Sequence, residues 1–122
     1  MTLKKTTLLI VDDESGVRDM LHNHFELRGF DVHTASDGTE AIEICGRVKP
    51  QIIMLDLKMK QMDGDKAIPE LRKIVPAARI IVVSAYQDEI MQKRIGGLSV
   101  DAYFEKPVSV LDLEKTIKSF VR

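Results

Sequence analysis

The sequence has little of what stabilises secreted or membrane proteins, since its 122 residues include one cysteine, Cys45, and no tryptophan. A single cysteine cannot form an internal disulfide, so we expect the protein to work in a reducing cytoplasm. The longest apolar runs have four residues, such as Leu8 to Val11, whereas a membrane helix needs roughly 20. Lys4 and Lys5 precede only one of these short runs, so no secretory leader is expected.

Neither sign of charge predominates in the chain. It carries 18 Lys and Arg residues against 19 Asp and Glu residues, a net charge of -1. General nucleic-acid binding normally requires a basic face or stripe, so we expect no direct contact with nucleic acid, and no contact with a membrane. With 44% hydrophobic and 30% charged residues, the composition is that of a globular chain, and the length suits one domain over residues 1–122.

Short apolar runs alternate with helix-length stretches along the chain. Three runs are apolar on both faces, as strands inside a parallel sheet are: residues 8–11, 52–55 and 80–83. Weaker runs at residues 31–35 and 101–104 predict two more strands, nearer the sheet edges. Apolar residues recur at helical spacing between the strands; the first two helices have Val17, Met20, Leu21, His24 and Phe25, and Ala41, Ile44, Cys45 and Val48.

Capping and terminating residues mark the helix ends. Asp37 with Glu40, and Ser109 with Asp112, have the spacing of a capping box at a helix start. Gly29 ends the first helix, and the next three end near Pro50, Pro76 and Gly96-Gly97. Five strands thus alternate with five helices, which requires crossover connections that place helices on both faces of a parallel sheet. We predict a doubly wound α/β sandwich.

Polar residues follow four of the five predicted strands. In an open parallel sheet, ligands bind beyond the carboxyl ends of the strands, where the strand order reverses. After the first, third, fourth and fifth strands the sequence has Asp12-Asp13-Glu14, Asp56, Ser84-Ala85 and Glu105-Lys106-Pro107. We therefore expect three carboxylates to converge at one edge of the sheet, with a hydroxyl and an ammonium group beside them.

Such a group of side chains favours phosphoryl chemistry. Three like charges within a few ångströms repel one another unless a cation neutralises them, and Mg²⁺ suits carboxylate and water ligands. Lys106 and Ser84 are donors for a small oxyanion. Because phosphoryl transfer needs mainly positioning and charge neutralisation, these residues predict a site that accepts a phosphoryl group with Mg²⁺ as cofactor.

Four segments carry a resemblance that covers nearly the whole chain. They are, in order, LLIVDDE, MLDLKMKQMDG, IIVVSAY and YFEKP. Each is weak evidence alone, but in this order and at these spacings the sequence resembles the receiver domain of bacterial two-component response regulators. The resemblance implies a flavodoxin-like (βα)5 fold with a five-stranded parallel sheet, and a phosphoacceptor role in two-component or phosphorelay signalling.

The resemblance also implies roles for individual residues. Asp56 resembles the phosphoacceptor aspartate. Asp12 and Asp13 resemble the acidic pair that binds Mg²⁺, together with Asp56 and the main-chain carbonyl of Lys58. Ser84 stands where the family has the hydroxyl residue that hydrogen-bonds the phosphoryl group.

Three further matches lie near the last strand and the third helix. Lys106 occupies the position of the family's lysine, and Pro107 follows it where the family usually has a cis peptide bond. Tyr103 matches the aromatic switch residue, which turns inward when the hydroxyl residue moves to the phosphoryl group. Asp63-Gly64 matches the turn that opens the third helix.

The sequence departs from the family in the loop after Asp56. Receivers commonly have proline and then a small residue where this chain has Lys60 and Gln61, and the loss of proline permits a more mobile loop with altered partner recognition. Lys58 and Tyr86 occupy positions at which the family tunes hydrolysis. Both side chains are long enough to cover an acyl phosphate, so we predict a phosphoaspartate that hydrolyses slowly.

Each residue also has a simpler interpretation when it is taken alone. Asp12 and Asp13 suit a solvated loop or a helix N-terminus, Asp56 an N-cap for the following turn, and Lys106 a surface position. Tyr103 is as well explained by a half-buried core aromatic as by a moving switch. His22 and His24 are more simply one surface and one core-facing residue than metal ligands, His33 an ordinary strand residue, and Cys45 a small core hydrophobe.

The function predicted from these residues is that of a receiver domain, not of an enzyme acting on a separate substrate. Its partners would be a sensor histidine kinase or a histidine phosphotransfer protein, and a downstream protein target or effector domain. The protein would be a monomer or a phosphorylation-dependent dimer. It would be either a stand-alone relay receiver or a part of a longer regulator, since no effector module follows the last predicted helix.

Three other functions remain possible from the sequence alone. A phosphatase of the haloacid-dehalogenase type also uses an aspartate nucleophile, but it needs a second acid where Lys58 stands and usually a cap domain. A flavodoxin or dinucleotide binder needs a phosphate loop rich in Gly, Ser or Thr, and Asp12-Asp13-Glu14 would repel phosphate. A degenerate receiver would act only as an interaction module.

Overall fold

A computed structural model describes residues 5–57, 64–85 and 100–121 of the chain. Within these ranges the elements, in chain order, are β1 (Thr7–Val11), α1 (Ser15–Leu27), β2 (Asp31–Ala35), α2 (Gly38–Val48), β3 (Ile52–Asp56), α3 (Gly64–Ile74), β4 (Arg79–Ala85), β5 (Ala102–Lys106) and α4 (Val110–Ser119). All five predicted strands are present. The predicted fourth helix lies outside the described residues, so α4 is the fifth of the helices predicted from the sequence.

The five strands form one parallel sheet in the order β2-β1-β3-β4-β5. The two strands with the weaker apolar pattern, β2 and β5, are the edge strands, as predicted. The chain leaves β1 for β2 on one side and reaches β3 on the other, so the strand order reverses at β1. The carboxyl ends of β1 and β3 are therefore neighbours at one edge of the sheet. A doubly wound sheet opens a crevice at this position.

Alternate residues of each central strand pack on opposite faces of the sheet. In β1, Leu9 and Val11 face the cluster formed with α2 and α3, whereas Leu8 and Ile10 face the cluster formed with α1 and α4. The buried helix residues that cover the two faces are Ala41, Cys45, Ile68 and Leu71 on one side, and Leu21, Phe25, Leu113 and Ile117 on the other. Helices on both faces confirm the predicted doubly wound, flavodoxin-like architecture.

Two predicted helix starts are confirmed by their capping hydrogen bonds. Asp37 caps α2 by accepting a bond from the Glu40 N–H at 2.8 Å, and Ser109 caps α4 through the Asp112 N–H at 3.3 Å. After α1 the chain turns at Gly29, whose φ of +93° lies in the region that residues with a side chain rarely adopt.

The side chain of Met20 departs from its predicted place on the buried face of α1. It is 48% exposed, whereas Leu21 and Phe25 are buried and Val17 is partly buried. Consecutive helix residues are about 100° apart, so Met20 lies at the margin of a stripe centred on Leu21 and Phe25.

An ion-pair cluster joins α1 to α4 on this side of the sheet. The carboxylate of Glu114 contacts His24 Nε2 at 2.6 Å, Arg28 Nε at 3.2 Å and Lys118 Nζ at 3.0 Å. Hydrogen bonds from Lys118 and His24 lower the pKa of Glu114 to about 2. His24 therefore faces inward as predicted, but it packs against a carboxylate as well as against the ring of Phe25.

A second charged cluster ties together the amino ends of β4 and β5. The Asp101 carboxylate accepts bonds from Arg72 at 2.9 Å, Arg79 at 3.2 Å and the Ile80 N–H at 2.8 Å. Burial alone would raise the pKa of Asp101, but these donors outweigh it and the pKa is lowered.

Among the helices of the described ranges, none is long and apolar enough to cross a membrane.

Leu21 and Leu27 allow one substitution to be compared at a buried and an exposed position of α1. Leu21 is 2% exposed and Leu27 is 83% exposed. Leu21→Ala should lower the free energy of unfolding by about 2–5 kcal/mol, because it removes core contacts and leaves a cavity. Leu27→Ala should change it by less than about 0.5 kcal/mol. Urea denaturation measures both, and equal losses would contradict the described packing of α1.

Candidate functional site

Three carboxylates meet at the carboxyl edge of the sheet. Asp12 and Asp13 follow β1, and Asp56 is the last residue of β3. One carboxylate oxygen from each of the three lies within 4.8 Å of the others. Asp12 and Asp56 are almost fully buried, at 2% and 5% exposure, and Asp13 is half-buried. The predicted convergence of these three residues is therefore present in the structure.

Asp12 is held by its backbone as well as by its side chain. Its N–H donates to the carbonyl of Ala35 at 3.1 Å, which extends the pairing of β1 with β2 by one residue. Its Oδ1 accepts a bond from the Glu14 N–H at 2.9 Å. Helix α1 starts at Ser15, directly after the acidic residues, and has no side-chain cap. The positive end of its dipole therefore lies beside these acids and favours their negative charge.

Lys106 brings a positive charge into the acidic group from β5. Its Nζ lies 2.8 Å from Asp56 Oδ2 and 3.6 Å from Asp12 Oδ2. Partial burial would lower the pKa of Lys106, but the hydrogen bond and charge of Asp56, with the charges of Asp12 and Glu14, outweigh it and raise the pKa. The ammonium group is therefore protonated at neutral pH. The Lys106–Pro107 peptide bond is cis, as the resemblance implies.

Ser84 lies on β4, between the strands that carry Asp56 and Lys106. Its backbone pairs with Glu105, one residue before Lys106. The side chain is buried at 1% exposure, and its Oγ makes no hydrogen bond to any residue that the structure describes. A buried hydroxyl without a partner is costly in a folded protein, and in native structures it commonly marks a functional position.

Tyr103 lies on β5 opposite Val82 of β4. Its side chain is partly buried and packs against the core cluster on the side of α2 and α3. This position suits both a core aromatic and a switch residue, so its predicted role stays a prediction. The predictions for Lys58, Lys60, Gln61, Asp63 and Tyr86 concern residues outside the described ranges, where the structure does not test them.

Arg18 is a residue of the site that the sequence analysis missed. It lies in the first turns of α1 and is partly buried, and its Nη1 donates to the main-chain oxygen of Asp12 at 2.6 Å. An arginine placed one to two turns into a helix that follows an acidic loop is long enough to fold back on that loop. This spacing was the available indication in the sequence.

The donor set suits a hard divalent cation. The converging atoms are carboxylate oxygens, which Mg²⁺ prefers to nitrogen or sulfur ligands, and three nearby negative charges are stabilised by a cation. In the described part of the chain, the cationic side chain in contact with Asp56 and Asp12 is that of Lys106. The site therefore combines an acidic pocket with an ammonium group and a buried hydroxyl that has no partner among the described residues.

Comparisons with known proteins agree with this geometry. The model of the response regulator receiver domain family matches residues 8–118. A probable transcriptional regulator, ycf27 of Porphyridium aerugineum, is 36% identical over 98% of this chain and 50% of its own length. The sporulation initiation phosphotransferase F of Bacillus subtilis is 28% identical over 93% of this chain and 92% of its own length.

The fold comparison gives the same family. A crystal structure of a CheY-like response regulator receiver domain protein from Methanospirillum hungatei superposes with a TM-score of 0.90 at 26% identity, covering 95% of this chain and 93% of that one. The chain spans about half the length of the Porphyridium regulator. From the family match, the shared fold and the acidic pocket, this chain belongs to the response regulator receiver domain family and is a receiver domain of two-component systems.

Proposed function

We propose that Asp56 accepts a phosphoryl group from a phosphohistidine, on a sensor histidine kinase or a histidine phosphotransfer protein, with Mg²⁺ as cofactor. The observation that carries this proposal is the buried Asp56 carboxylate, which has an oxygen within 4.8 Å of oxygens of the other two acids and whose Oδ2 lies 2.8 Å from Lys106 Nζ. A carboxylate buried at the end of an apolar strand lowers the stability of the fold unless its charge is paired or binds a cation.

The proposed transfer exchanges one bond to phosphorus for another. A carboxylate oxygen of Asp56 attacks phosphorus, the phosphorus–nitrogen bond of the donor histidine breaks, and its electron pair stays on the imidazole nitrogen. The imidazole leaves as a neutral ring if its other nitrogen carries a proton. The product is an acyl phosphate on Asp56.

The remaining residues stabilise charge in this step. Asp12, Asp13, Asp56 and the main-chain carbonyl of Lys58 would hold Mg²⁺, which supplies charge neutralisation for the phosphoryl oxygens when bound. Lys106 donates to Oδ2 of Asp56, so its ammonium is placed to bind a phosphoryl oxygen once Asp56 carries the group. Its raised pKa keeps it charged before the transfer.

Ser84 would act as the sensor of phosphorylation. Its buried Oγ has a hydrogen to donate and no partner among the described residues, so a phosphoryl oxygen nearby would satisfy it. Movement of Ser84 would open space for Tyr103, which we propose turns inward and reshapes the surface around β5 and α4. This is a local charge event that biases a two-state element.

We propose that residues 1–122 form a single receiver domain that modifies itself and does not turn over a separate substrate. Lys58 stands where an aspartate-nucleophile phosphatase has its second acid, and the acids after β1 would repel the phosphates of a flavin or dinucleotide. A downstream protein or effector domain would receive the output, with the protein a monomer or a phosphorylation-dependent dimer. We place these events in the cytoplasm.

Intact mass spectrometry after incubation with acetyl phosphate and Mg²⁺ tests the acceptor. The chain should gain a single phosphoryl group, and the gain should disappear in Asp56→Asn and when Mg²⁺ is removed with a chelator. Asp31→Asn, the same change at an exposed position of β2, should leave the gain intact. An unmodified wild-type chain, even with a phosphorylated kinase as donor, would favour the phosphorylation-independent interaction module. Release of phosphate from an aryl phosphate in many turnovers would favour a phosphatase.

The lifetime of the acyl phosphate tests the predicted roles of Lys58 and Tyr86. Two long side chains at these positions should exclude water, so the label should be lost slowly after the donor is removed. Lys58→Ala with Tyr86→Ala should shorten its lifetime about 10-fold or more. An equal lifetime in the double variant, measured by the decay of the phosphorylated mass, would disprove this role.

Ser84→Ala and Ser36→Ala distinguish an unpartnered hydroxyl from a partnered one. The Ser36 hydroxyl donates to Glu40 Oε2 at 2.6 Å, so Ser36→Ala should lower the free energy of unfolding by about 0.5–1.5 kcal/mol. Ser84→Ala removes a buried group without a described partner, so the free energy of unfolding should stay equal or rise. Urea denaturation measures both, and a loss at Ser84 as large as that at Ser36 would show that Ser84 is already hydrogen-bonded.

A further inference from the structure

Arg18 makes the one described side-chain contact to the backbone between the two acids after β1. Its Nη1 donates to the main-chain oxygen of Asp12 at 2.6 Å, across six residues. That oxygen belongs to the peptide group that links Asp12 to Asp13. The direction in which Asp13 leaves the chain therefore depends on where this peptide group points.

The other polar groups of Asp12 are anchored independently of Arg18. The Asp12 N–H is bound to the Ala35 carbonyl at 3.1 Å, and Oδ1 is bound to the Glu14 N–H at 2.9 Å. The main-chain oxygen is the group left over, and Arg18 is its described partner. Without Arg18, the strand end and the Asp12 carboxylate would stay anchored, while the main-chain oxygen of the peptide leading to Asp13 would lose its described partner.

A carboxylate of α2 also interacts with the charge of Arg18. Glu40 at the start of α2 has its Oε2 fixed by the N–H and hydroxyl of Ser36, at 3.1 and 2.6 Å. These hydrogen bonds are the main reason that the pKa of Glu40 is lowered, and the nearby charge of Arg18 adds to them. The charge of Arg18 therefore acts on a carboxylate of α2, and its Nη1 binds the acidic loop.

We propose that Arg18 is a positioning residue that sets the Asp12–Asp13 peptide, and with it the Asp13 carboxylate, for binding of a divalent cation. This inference rests on the metal site of the proposed function. Groups that orient metal ligands commonly contribute 10- to 100-fold to metal affinity although they never touch the ion.

A second role for the same residue predicts the opposite sign. If Arg18 served only as a positive charge that offsets the acids, removing it would make the site more negative and would tighten cation binding. If it positions the loop, removing it loosens the ligands and weakens binding. The direction of the change in Mg²⁺ affinity therefore separates the two roles.

Calorimetric titration of Mg²⁺ into the full chain, at constant ionic strength, measures this direction. Three variants are compared with the wild type: Arg18→Gln, which is too short to reach the Asp12 oxygen; Arg18→Lys, which keeps the charge but not the planar fork; and Arg47→Gln. Arg47 is exposed on α2, and Arg47→Gln changes the net charge by the same amount as Arg18→Gln. Circular dichroism without Mg²⁺ establishes that each variant is folded.

The proposal expects Arg18→Gln to raise the Mg²⁺ dissociation constant about 10-fold relative to Arg47→Gln, and Arg18→Lys to recover part of the loss. At saturating Mg²⁺, labelling of Arg18→Gln by acetyl phosphate should return to within about twofold of the wild-type rate, because only the affinity for the cation is affected.

A dissociation constant for Arg18→Gln equal to or below that of Arg47→Gln would overturn the positioning role and leave the metal site standing. A wild-type chain that binds no Mg²⁺ would overturn the metal site itself, and the positioning role with it. If Arg18→Gln does not fold, Arg18→Lys decides: weaker binding than wild type supports positioning, and equal binding contradicts it.

Discussion

Mutual repulsion among the carboxylates of Asp12, Asp13 and Asp56 is the constraint around which the rest of the site is arranged. Their oxygens lie within 4.8 Å of one another, two of the three residues are almost fully buried, and burial strengthens every charge interaction. Lys106 supplies one positive charge at 2.8 Å from Asp56, the dipole of α1 supplies a partial one, and Arg18 supplies another behind the loop. Among the described residues these positive charges do not equal three carboxylates, and this imbalance favours the binding of a cation in the pocket.

The sheet and its helices are held together by contacts that lie away from the three carboxylates. The sheet is clamped at its opposite edge by Asp101, which joins Arg72 of α3 to Arg79 of β4, and α1 is tied to α4 through Glu114. Two apolar layers cover the sheet between these clusters. The carboxyl ends of the strands are therefore held in place by the packed sheet. This packing keeps the three carboxylates close together, beside the Ser84 hydroxyl that has no described partner.

Local patterns were enough to predict the five strands, the capped helix starts and the convergence of Asp12, Asp13, Asp56, Ser84 and Lys106. The reason is geometric: in a parallel sheet every carboxyl end lies at the same edge, and the strand order then decides which strand-end residues meet. The order itself, and the neighbours that it gives to β1, required the structure. The contacts of long polar side chains could not be predicted from the sequence either. The periodicity does not indicate that His24 contacts Glu114, 90 residues away, or that Arg18 contacts Asp12. Met20 was misplaced because helical spacing does not say how wide the buried stripe is.

The central claim, that repulsion within the acidic group is offset by a bound cation, is tested most directly by the free energy of unfolding of Asp13→Asn with and without Mg²⁺. Asp19→Asn, at an exposed position of α1, is the matched control. Without Mg²⁺, Asp13→Asn should be more stable than the wild type, because one of three like charges is gone; with Mg²⁺, the wild type should gain more stability than the variant, by mass action. A wild type that Mg²⁺ does not stabilise, together with an Asp13→Asn variant that is less stable than the wild type in its absence, would contradict the account.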